Sequence, residues 1–287
     1  MSVTMLLDAS SLVYRAFFSV PKTITDHSGN PVNAVRGFMD MSARLKIERG
    51  PDEVIAVFDA DWRPAFRVAA YPGFKADRPE EPPELTTQFD LLPAVLDAAG
   101  MPRAEASGYE ADDVIATLCA TVSGDDRALV VTGDRDLICL VRDPHVGILF
   151  TLKGVTNLKL FDEAAVEETY GLPPSRYSEF AMLRGDPSDG LPGVPGVGPK
   201  TAVKLLREYG SIDEVIAHSE DLTPRLRQAF DSSREYLAAM RTVVPPVTDL
   251  KVESTVMTRD EERLLRLAAQ HNIEGPARRL LQALGDG

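Results

Sequence analysis

The stretch GDPSDGLPGVPGVGPKTA, from Gly185 to Ala202, places two kinds of ligand site side by side. Its first half offers two carboxylates, Asp186 and Asp189, in a loop that proline and glycine hold in a sharp turn, which suits a hard cation. Its second half is a glycine turn, Gly193–Gly198, followed by Pro199, and it predicts a helix whose first amides bind phosphate. Together they suggest a phosphodiester brought to metal ions. An ordinary connector rich in glycine and proline is the structural alternative.

Upstream of this stretch, three short apolar runs each predict a buried strand that ends next to acidic residues. The runs are Val3–Leu7, Val54–Phe58 and Ala128–Val131, and the acids that follow them are Asp8, Asp59, Asp134 and Asp136. Residues Ser10–Phe18, after the first run, predict a helix capped by Ser10 or Ser11. Ligand sites form at the carboxyl edge of open parallel α/β sheets, so we expect these acids to lie there together.

A further acidic group precedes the third strand, in the sequence GYEADD from Gly108 to Asp113. The apolar residues that follow have helical spacing, so the acids fall in the first turn of a helix, where the dipole favours negative charge. An N-terminal cap is the structural alternative. Three acids in four residues exceed what one cap needs, and the spacing lets Glu110 and Asp113 face the same way.

Summed over the chain, the candidate metal ligands are nine carboxylates: Asp8, Asp59, Glu110, Asp112, Asp113, Asp134, Asp136, Asp186 and Asp189. Such a cluster would repel itself without cations, and oxygen ligands suit Mg²⁺ or Mn²⁺. None of the histidines has the spacing of a zinc protease. Two hard cations could hold the attacking and leaving oxygens of a phosphoryl transfer.

The composition is that of a folded globular protein with a sizeable core. The chain has 287 residues, of which 44% are hydrophobic and 26% are charged, enough for one large domain or two ordinary ones. No apolar run approaches the length of a membrane span, and the start lacks the basic region of a signal peptide, so a cytoplasmic protein is expected. Cys119 and Cys139 are expected to be buried thiols, in preference to a bridge or a zinc site.

The net charge of −13 argues against a protein that coats nucleic acid indiscriminately, because a global charge of that sign repels phosphate. Two stretches are nevertheless locally basic. Residues 60–78 carry four basic side chains against two acidic ones, and residues 198–209 carry three against one. If metal ions neutralise the acidic cluster, much of the negative charge is local and functional.

Seven motifs in order make the chain similar to a known family. They are LLDASSLVYRAF, NAVRGF, VFDA, FR followed by YPGFKADR, GYEADDVIATL, TGDRDL and the stretch quoted first. Each is weak alone, but the ordered set is specific and covers nearly the whole chain. The chain resembles the 5′-nuclease, or flap endonuclease, family, and in particular the 5′-3′ exonuclease domain of bacterial DNA polymerase I in free-standing form.

The resemblance implies a fold and a set of catalytic residues. The fold would be α/β, with a PIN-like, mostly parallel central sheet flanked by helices, a helical arch, and then a helical region with a helix-hairpin-helix. The nine carboxylates match the metal-binding residues of the family, with two or more Mg²⁺ or Mn²⁺ ions. Lys75 and Arg78 match basic residues at the base of the arch, through which a 5′ single strand passes. Arg15 matches a basic residue near the scissile phosphate.

The resemblance also implies a DNA-binding surface. The glycine turn matches a helix-hairpin-helix that grips the duplex backbone, commonly with a potassium ion. The candidate DNA-binding residues are Arg67, Gly193, Gly196, Gly198, Lys200, Thr201 and Lys204. The implied partners are DNA with a 5′ flap, a gap or a 5′ end, and a DNA polymerase acting alongside; a monomer is expected. For the later residues Arg225, Arg227, Arg234 and Arg241 a solvated helix face is favoured over an extended phosphate track.

Three positions depart from the family pattern. Gly190 stands where Asn is usual, Phe74 where Tyr is usual, and Pro199 where an acidic residue is common. Glycine permits a positive φ, so we expect the turn at Gly190 to place its two aspartates by main-chain geometry. On that basis Gly190→Asn should change the cleavage rate by less than about tenfold.

The predicted organisation is a catalytic region, residues 1–174, followed by a mostly helical DNA-binding region, residues 175–287. Within the first, the acidic, proline-rich segment Pro79–Glu84 predicts an extended or mobile part of the arch, with an ordinary surface loop as the alternative. A β-hairpin is predicted around Lys153 and Gly154, with Thr156–Phe161 as its return strand.

The predicted activity is metal-dependent hydrolysis of DNA phosphodiesters near 5′ ends or 5′ flaps, in replication or repair. A metal-dependent phosphatase would also use aspartates at strand ends, but it would not need the basic arch or the glycine turn. A non-catalytic or weakly active DNA-structure-binding protein would keep the turn, but it would not need nine carboxylates. The presence of both features favours the nuclease.

Overall fold

A computed structural model describes residues 2–153 and 155–285, and its centre is a seven-stranded sheet. The strands are β1 (Val3–Asp8), β2 (Glu53–Val57), β3 (Arg103–Glu105), β4 (Arg127–Thr132), β5 (Val146–Lys153), β6 (Asn157–Phe161) and β7 (Glu253–Thr255). Their spatial order is β6-β5-β4-β1-β2-β3-β7. The first five strands are parallel, and the edge strands β6 and β7 are antiparallel to their neighbours. The predicted, mostly parallel sheet is confirmed.

Some helices pack on the two faces of this sheet, and others pack on one another. They are α1 (Ala9–Ser19), α2 (Asn33–Arg49), α3 (Ala65–Ala70), α4 (Pro83–Ala99), α5 (Ala111–Thr121), α6 (Glu163–Tyr170), α7 (Tyr177–Arg184), α8 (Pro199–Tyr209), α9 (Ile212–Ala217), α10 (Pro224–Ser232), α11 (Arg234–Val243), α12 (Glu261–His271) and α13 (Glu274–Leu284). In the central strand β1, Leu6 packs into the core on one face, while Met5 and Leu7 pack into the core on the other. Burial on both faces explains why these strands are almost continuously apolar.

The three predicted strands are confirmed, and their carboxyl ends share one edge. Asp8 lies opposite Val57 of β2, and Leu7 lies opposite Val131 of β4, so the residues that follow these strands are neighbours in space. The predicted cap of the first helix is wrong. The N-cap is Asp8, whose carboxylate accepts a hydrogen bond from the Ser11 N–H, and the helix begins at Ala9. A carboxylate at this position satisfies a helix amide that has no backbone partner.

Two further local predictions concern the hairpin and the arch. Strands β5 and β6 form the predicted antiparallel hairpin, although Gly154 at its tip lies outside the described residues. Residues 79–82 have no regular secondary structure, and α4 begins at Pro83. Proline is suited to the first turn of a helix because its missing N–H would have no partner there.

The end of the chain returns to the first region. Strand β7 pairs with β3, and α13 and α12 pack on α2 and α4. Four of their residues, Leu264, Ala268, Ala277 and Leu280, and Ile273 between the two helices are completely buried in the core that α2 and α4 also line. The predicted division placed these residues with the DNA-binding region, whereas the structure packs them against the sheet and its helices.

The remaining general predictions can be set against the described residues. No helix among them has both the length and the apolar character needed to span a bilayer. Cys119 and Cys139 are unpaired thiols, the first buried and the second half-buried. Burial raises the pKa of each thiol to about 12. Both cysteines therefore behave as apolar core residues.

Candidate functional site

A cavity at the carboxyl edge of the sheet collects acidic side chains from three parts of the chain. Its acidic lining consists of Glu110 and Asp112 at the start of α5, Asp134 and Asp136 after β4, and Asp186 and Asp189 in the loop after α7. Lys75 and Arg67 line the same cavity. Six of the nine expected ligands therefore meet in one place. The topology brings them together because parallel strands end at the same edge.

Asp8 and Asp59 belong to the same charged group. Asp8 is 4% exposed and accepts hydrogen bonds from the Ser11 N–H (3.0 Å) and the Thr132 hydroxyl (2.6 Å). Burial, reinforced by the charges of Asp59 and Asp134 and opposed by these hydrogen bonds, raises the pKa of Asp8 to about 7. Asp59 accepts a hydrogen bond from the Ala111 N–H (2.6 Å), which ties the end of β2 to the start of α5.

The carboxylates of the cavity disfavour one another's ionised forms. Burial, followed by repulsion from Asp134 and other acids, holds the pKa values of Asp112 and Asp136 well above the ordinary range. Burial also raises the pKa of Asp189, although Lys75 and Arg78 oppose the rise. Such a cluster becomes favourable when cations enter it.

The described residues allow a test of whether metal ions fit this site. No three His, Cys, Asp or Glu side chains between residues 2 and 153 or between 155 and 285 are close enough to hold an ion as they stand. The donors around the cavity are carboxylate oxygens, with neither histidine nor cysteine among the lining residues. This chemistry suits hard cations such as Mg²⁺ or Mn²⁺, which keep several waters and need few protein ligands.

Lys75 reaches the cavity through an unusual backbone conformation. Its φ is +52°, and its N–H donates to the Asp189 carbonyl at 2.9 Å. The Lys75 side chain is 9% exposed, and its ammonium group forms a hydrogen-bonded ion pair with Glu110. Burial would lower the pKa of Lys75, but Glu110 and Asp189 outweigh it, so the pKa is raised and the side chain stays charged. Positive φ at a residue other than glycine is a form of strain that concentrates at functional sites.

Arg78, the second cation predicted at the base of the arch, is more exposed. Its guanidinium donates to a carboxylate oxygen of Asp189 at 3.2 Å. Lys75 and Arg78 therefore both contact the loop that carries Asp186 and Asp189, one through its main chain and the other through its side chain.

Gly190 has the predicted positive φ, at 72°. A Cβ at this position would lie 2.4 Å from the Gly73 carbonyl oxygen, closer than any side chain tolerates. The residue is therefore needed for a close approach as well as for its backbone angle. The approach joins the aspartate loop to the segment that leads into Lys75.

Arg15 lies over the end of β4, beside Gly133. A Cβ at Gly133 would be 2.8 Å from an Arg15 guanidinium nitrogen and 3.0 Å from the hydroxyls of Ser11 and Thr151. Among the described residues, buried Arg15 Nε and Thr151 Oγ1 have no hydrogen-bond partner. The missing side chain at Gly133 leaves the space that Arg15 fills.

The structure contradicts the prediction that Arg67 binds DNA. Arg67 is 3% exposed, and its guanidinium donates to the Val243 carbonyl (2.9 Å), to Glu110 (2.7 Å) and to both oxygens of Asp113 (2.7 Å each). These bonds use four of the five N–H donors of the guanidinium, and a side chain buried in this way has no access to a phosphate. The prediction rested on the family resemblance and on the positive charge of residues 60–78, and neither of them shows whether a side chain is buried.

Asp113 is likewise unsuited to the metal-binding role that was predicted for it. Its carboxylate accepts two hydrogen bonds from Arg67, one from the Val247 N–H (2.8 Å) and one from the Glu110 N–H (3.3 Å). Four donors occupy the four lone-pair positions of a carboxylate. The cap that was the structural alternative is present, since Glu110 and Asp113 form a capping box at the start of α5.

The glycine turn and α8 form the expected helix start. Gly198 is the N-cap and Pro199 is the first residue of α8, while Lys200 and Lys204 are exposed one turn apart. Thr201 is half-buried, and Gly196 is exposed in the turn. The first amides of a helix have no partner within it and can bind a phosphate.

The N–H of Gly193 is not available for that purpose. It donates to the Tyr236 hydroxyl at 3.1 Å, and a Cβ at this residue would lie 2.6 Å from the Arg184 main chain. Gly193 therefore serves packing between the turn and α7, which corrects its predicted contact with DNA.

Sequence reasoning missed two groups of residues at the site. Thr132 holds Asp8 through its hydroxyl and accepts a hydrogen bond from the Asp134 N–H at 2.8 Å. Its place immediately before the GDRD sequence was a usable signal. Val243, Val244 and Pro246 form an apolar wall of the cavity, and nothing in their local sequence indicates this.

Comparison with known proteins identifies the family. The family model described as "5'-3' exonuclease, N-terminal resolvase-like domain" matches residues 3–171, and the one described as "5'-3' exonuclease, C-terminal SAM fold" matches residues 172–263. A 5′-3′ exonuclease of Streptomyces coelicolor is 44% identical over 98% of this chain and 99% of its own length. DNA polymerase I of Mycobacterium bovis is 41% identical over 88% of this chain, but over 28% of its own length.

Among solved structures, the T5 5′-exonuclease with bound zinc has a TM-score of 0.68 at 18% identity, over 98% of this chain and 99% of that one. This likeness shows a shared fold across the whole chain. The family models and the identity to the Streptomyces relative go further. The chain is a member of the 5′-3′ exonuclease family.

Proposed function

We propose that this protein is a structure-specific 5′ nuclease, acting as both a 5′-3′ exonuclease and a flap endonuclease on DNA, and that its activity depends on divalent metal ions. The observation that carries the proposal is the cavity in which six carboxylates meet the buried cation of Lys75. A phosphodiester bears a negative charge that grows in the transition state. A site for its hydrolysis therefore needs metal-binding acids and positive charge together.

The residues placed to hold metal ions are those with carboxylates at the cavity and beside it: Asp8, Asp59, Glu110, Asp112, Asp134, Asp136, Asp186 and Asp189. Bound there, two or more Mg²⁺ or Mn²⁺ ions would activate water and stabilise the leaving oxygen. Asp113 is absent from this set because Arg67 and two amides occupy it.

The chain's own cations would act on the phosphate. Lys75 and Arg78 stand on the side of the cavity formed by the aspartate loop, and Arg15 stands over the end of β4. Positive groups held in place before the reaction stabilise charge as it develops, at no further cost in reorganisation. Val243, Val244 and Pro246 exclude water from one wall, which strengthens these interactions.

Duplex DNA would bind at the start of α8, where Gly196, Gly198, Lys200, Thr201 and Lys204 lie together. Contacts of this kind recognise phosphates and position the duplex without reading its sequence. A potassium ion at this turn and a DNA polymerase working alongside are further parts of the proposal; the polymerase rests on the similarity to DNA polymerase I.

The experiment uses 5′-labelled flap and blunt duplexes with Mg²⁺, with Mn²⁺ or with EDTA. The proposal expects labelled mononucleotides or short oligonucleotides in either metal and none in EDTA. Free phosphate as the product would indicate a phosphatase instead. A shifted complex without any product in either metal would indicate a DNA-binding protein, the second candidate.

A further inference from the structure

Arg67 does not face solvent, and its guanidinium forms hydrogen bonds to two different helices. The guanidinium uses Nε for the carbonyl of Val243 at the end of α11. One terminal nitrogen donates to both Glu110 and Asp113, and the other donates to Asp113. One side chain from α3 thus contacts the start of α5 and the end of α11.

Glu110 is the link from Arg67 to the cavity. Its Oε2 accepts from Arg67 at 2.7 Å, while its Oε1 accepts from the ammonium of Lys75. Because Arg67 holds one oxygen, the carboxylate is oriented with its other oxygen towards Lys75. Planar, forked bonding of this type is a property of arginine that lysine lacks.

Asp113 is the link to the second region of the chain. It is completely buried, and its Oδ1 accepts both from Arg67 and from the Val247 N–H. Residues 243–247 are therefore attached twice, through the Val243 carbonyl and through the Val247 amide. The same segment supplies the apolar wall of the cavity.

We propose that Arg67 is a positioning residue for cleavage, whose guanidinium fixes the segment after α11 against α5 and holds Glu110 so that Lys75 stands at the cavity. This inference rests on the proposed nuclease function. It gives Arg67 no contact with DNA. A movement of the DNA-binding region would change the position of Glu110 and Lys75 through the hydrogen bonds of Arg67.

The test compares Arg67→Lys with Arg103→Lys. Lysine at position 67 keeps a charge beside buried Asp113, so the protein should still fold, but it cannot make all four bonds. Arg103 offers the matched control because it makes a partly buried, two-bond ion pair with Asp97 (2.8 and 3.1 Å) at β3, away from the cavity.

Two readouts separate a positioning role from a general loss of structure. The first is single-turnover cleavage of a 5′-flap substrate at saturating DNA and Mg²⁺, with the Kd for the same DNA measured in EDTA. The second is hydrogen exchange of residues 243–250 in the DNA-free protein. For Arg67→Lys we expect a cleavage rate at least about tenfold lower, a Kd within about threefold, and faster exchange of this segment. Arg103→Lys should leave all three unchanged.

Several results would overturn the inference. A weaker Kd with an intact cleavage rate would restore Arg67 as a DNA contact. An equal loss of cleavage rate in Arg103→Lys would mean that the effect of Arg67→Lys is a general loss of stability. Unchanged hydrogen exchange at residues 243–250 would mean that Arg67 does not hold this segment against α5. If the wild-type protein itself released no product, the proposed function would be refuted, and the positioning role with it. Hydrogen exchange would still show whether Arg67 holds residues 243–247 against α5.

Discussion

At the scale of single residues, Asp134 is the most accessible of the carboxylates around the cavity, and its charge reaches four others. It raises the pKa of Asp8, Asp112, Asp136 and Asp189. An exposed carboxylate that lies among other acids is well placed to take a cation directly.

Asp134→Ala should therefore abolish cleavage and leave DNA binding intact, because in the proposed function metal ligation would serve the chemistry and α8 would supply most of the affinity. The measurement is single-turnover cleavage at saturating Mg²⁺, with Kd determined in parallel. Asp125→Ala, an exposed acid in the turn before β4, is the control. More than about a tenth of the wild-type rate would refute the role given to Asp134.

Lys75→Ala should lower the saturated single-turnover rate by roughly tenfold to a thousandfold, the range for losing a charge partner of the transition state. The variant also leaves Glu110 with Arg67 as its remaining cation. Titrating the DNA separates rate from affinity. An unchanged saturated rate with a weaker Kd would assign Lys75 to binding.

The contact between Gly190 and Gly73 reverses the expectation that Gly190→Asn would be mild. Asparagine tolerates the backbone angle, but its Cβ would meet the Gly73 carbonyl and push away the segment that carries Lys75. We now expect Gly190→Asn and Gly190→Ala both to lower the cleavage rate by more than about tenfold. Gly50→Asn, at a similar φ of 59° with open space around it, is the matched control. A rate within a few fold of wild type would show that the two loops separate easily.

Roles that follow from the order of strands could be assigned from the sequence, whereas roles that depend on tertiary packing could not. Acids at strand ends were found because topology alone brings them to one edge. Arg67 and Asp113 were misassigned because a charged side chain can face the cavity or a buried partner. Tertiary packing makes that choice, and sequence spacing does not show it.

At the scale of elements, α8 offers the clearest test of DNA binding. Replacing both Lys200 and Lys204 by Ala should weaken binding to all sequences about equally and reduce the salt dependence of log K by up to about two units. Each exposed lysine that neutralises a phosphate releases close to one counterion. Binding titrations of a duplex at several salt concentrations supply both numbers.

The matched control is Arg234→Ala with Arg241→Ala, which changes the net charge by the same amount. Both arginines are paired with acids, Asp231 and Asp213, as a solvated helix face would predict. This double variant should keep the salt slope. An equal fall in the salt dependence of log K for both double variants would mean that net charge explains the effect. A loss of binding to some DNA sequences but not others would contradict phosphate contacts at α8.

Elements with local signals were predictable, and those without them were not. Gly198 and Pro199 mark the start of α8, and the structure begins the helix there. Strand β7 has three residues, none of them buried, so it has no apolar pattern from which a strand could be predicted. Its conformation comes from pairing with β3, a contact between distant parts of the chain.

At the scale of the whole molecule, the acidic cluster makes stability depend on pH and metal. Burial is the first cause that raises the pKa of Asp8 and of Glu110 to about 7, from ordinary values of 3.8 and 4.5. The folded protein then binds more protons than the unfolded chain. This contribution to stability is complete below the ordinary values and is lost as the pH rises towards about 7.

In EDTA, therefore, the midpoint of thermal unfolding should fall between about pH 5 and about pH 8, and Mg²⁺ at the upper end should raise it again. Asp8→Asn removes one of these groups and should flatten the pH dependence. A midpoint of thermal unfolding that rises between about pH 5 and about pH 8, or that Mg²⁺ does not change at high pH, would show that the acids do not act as a coupled, cation-binding group.

The pairing of β7 with β3, and the packing of α12 and α13 on α2 and α4, have a consequence for biosynthesis. Residues 33–49 leave the ribosome early, but the helices that cover them come from residues 261–284, more than 200 positions later. Until then the edge of β3 is open and a face of the core is unprotected, a state prone to aggregation. Because contacts this distant in sequence form slowly, we expect this face of the core to close only after residues 261–284 have been synthesised.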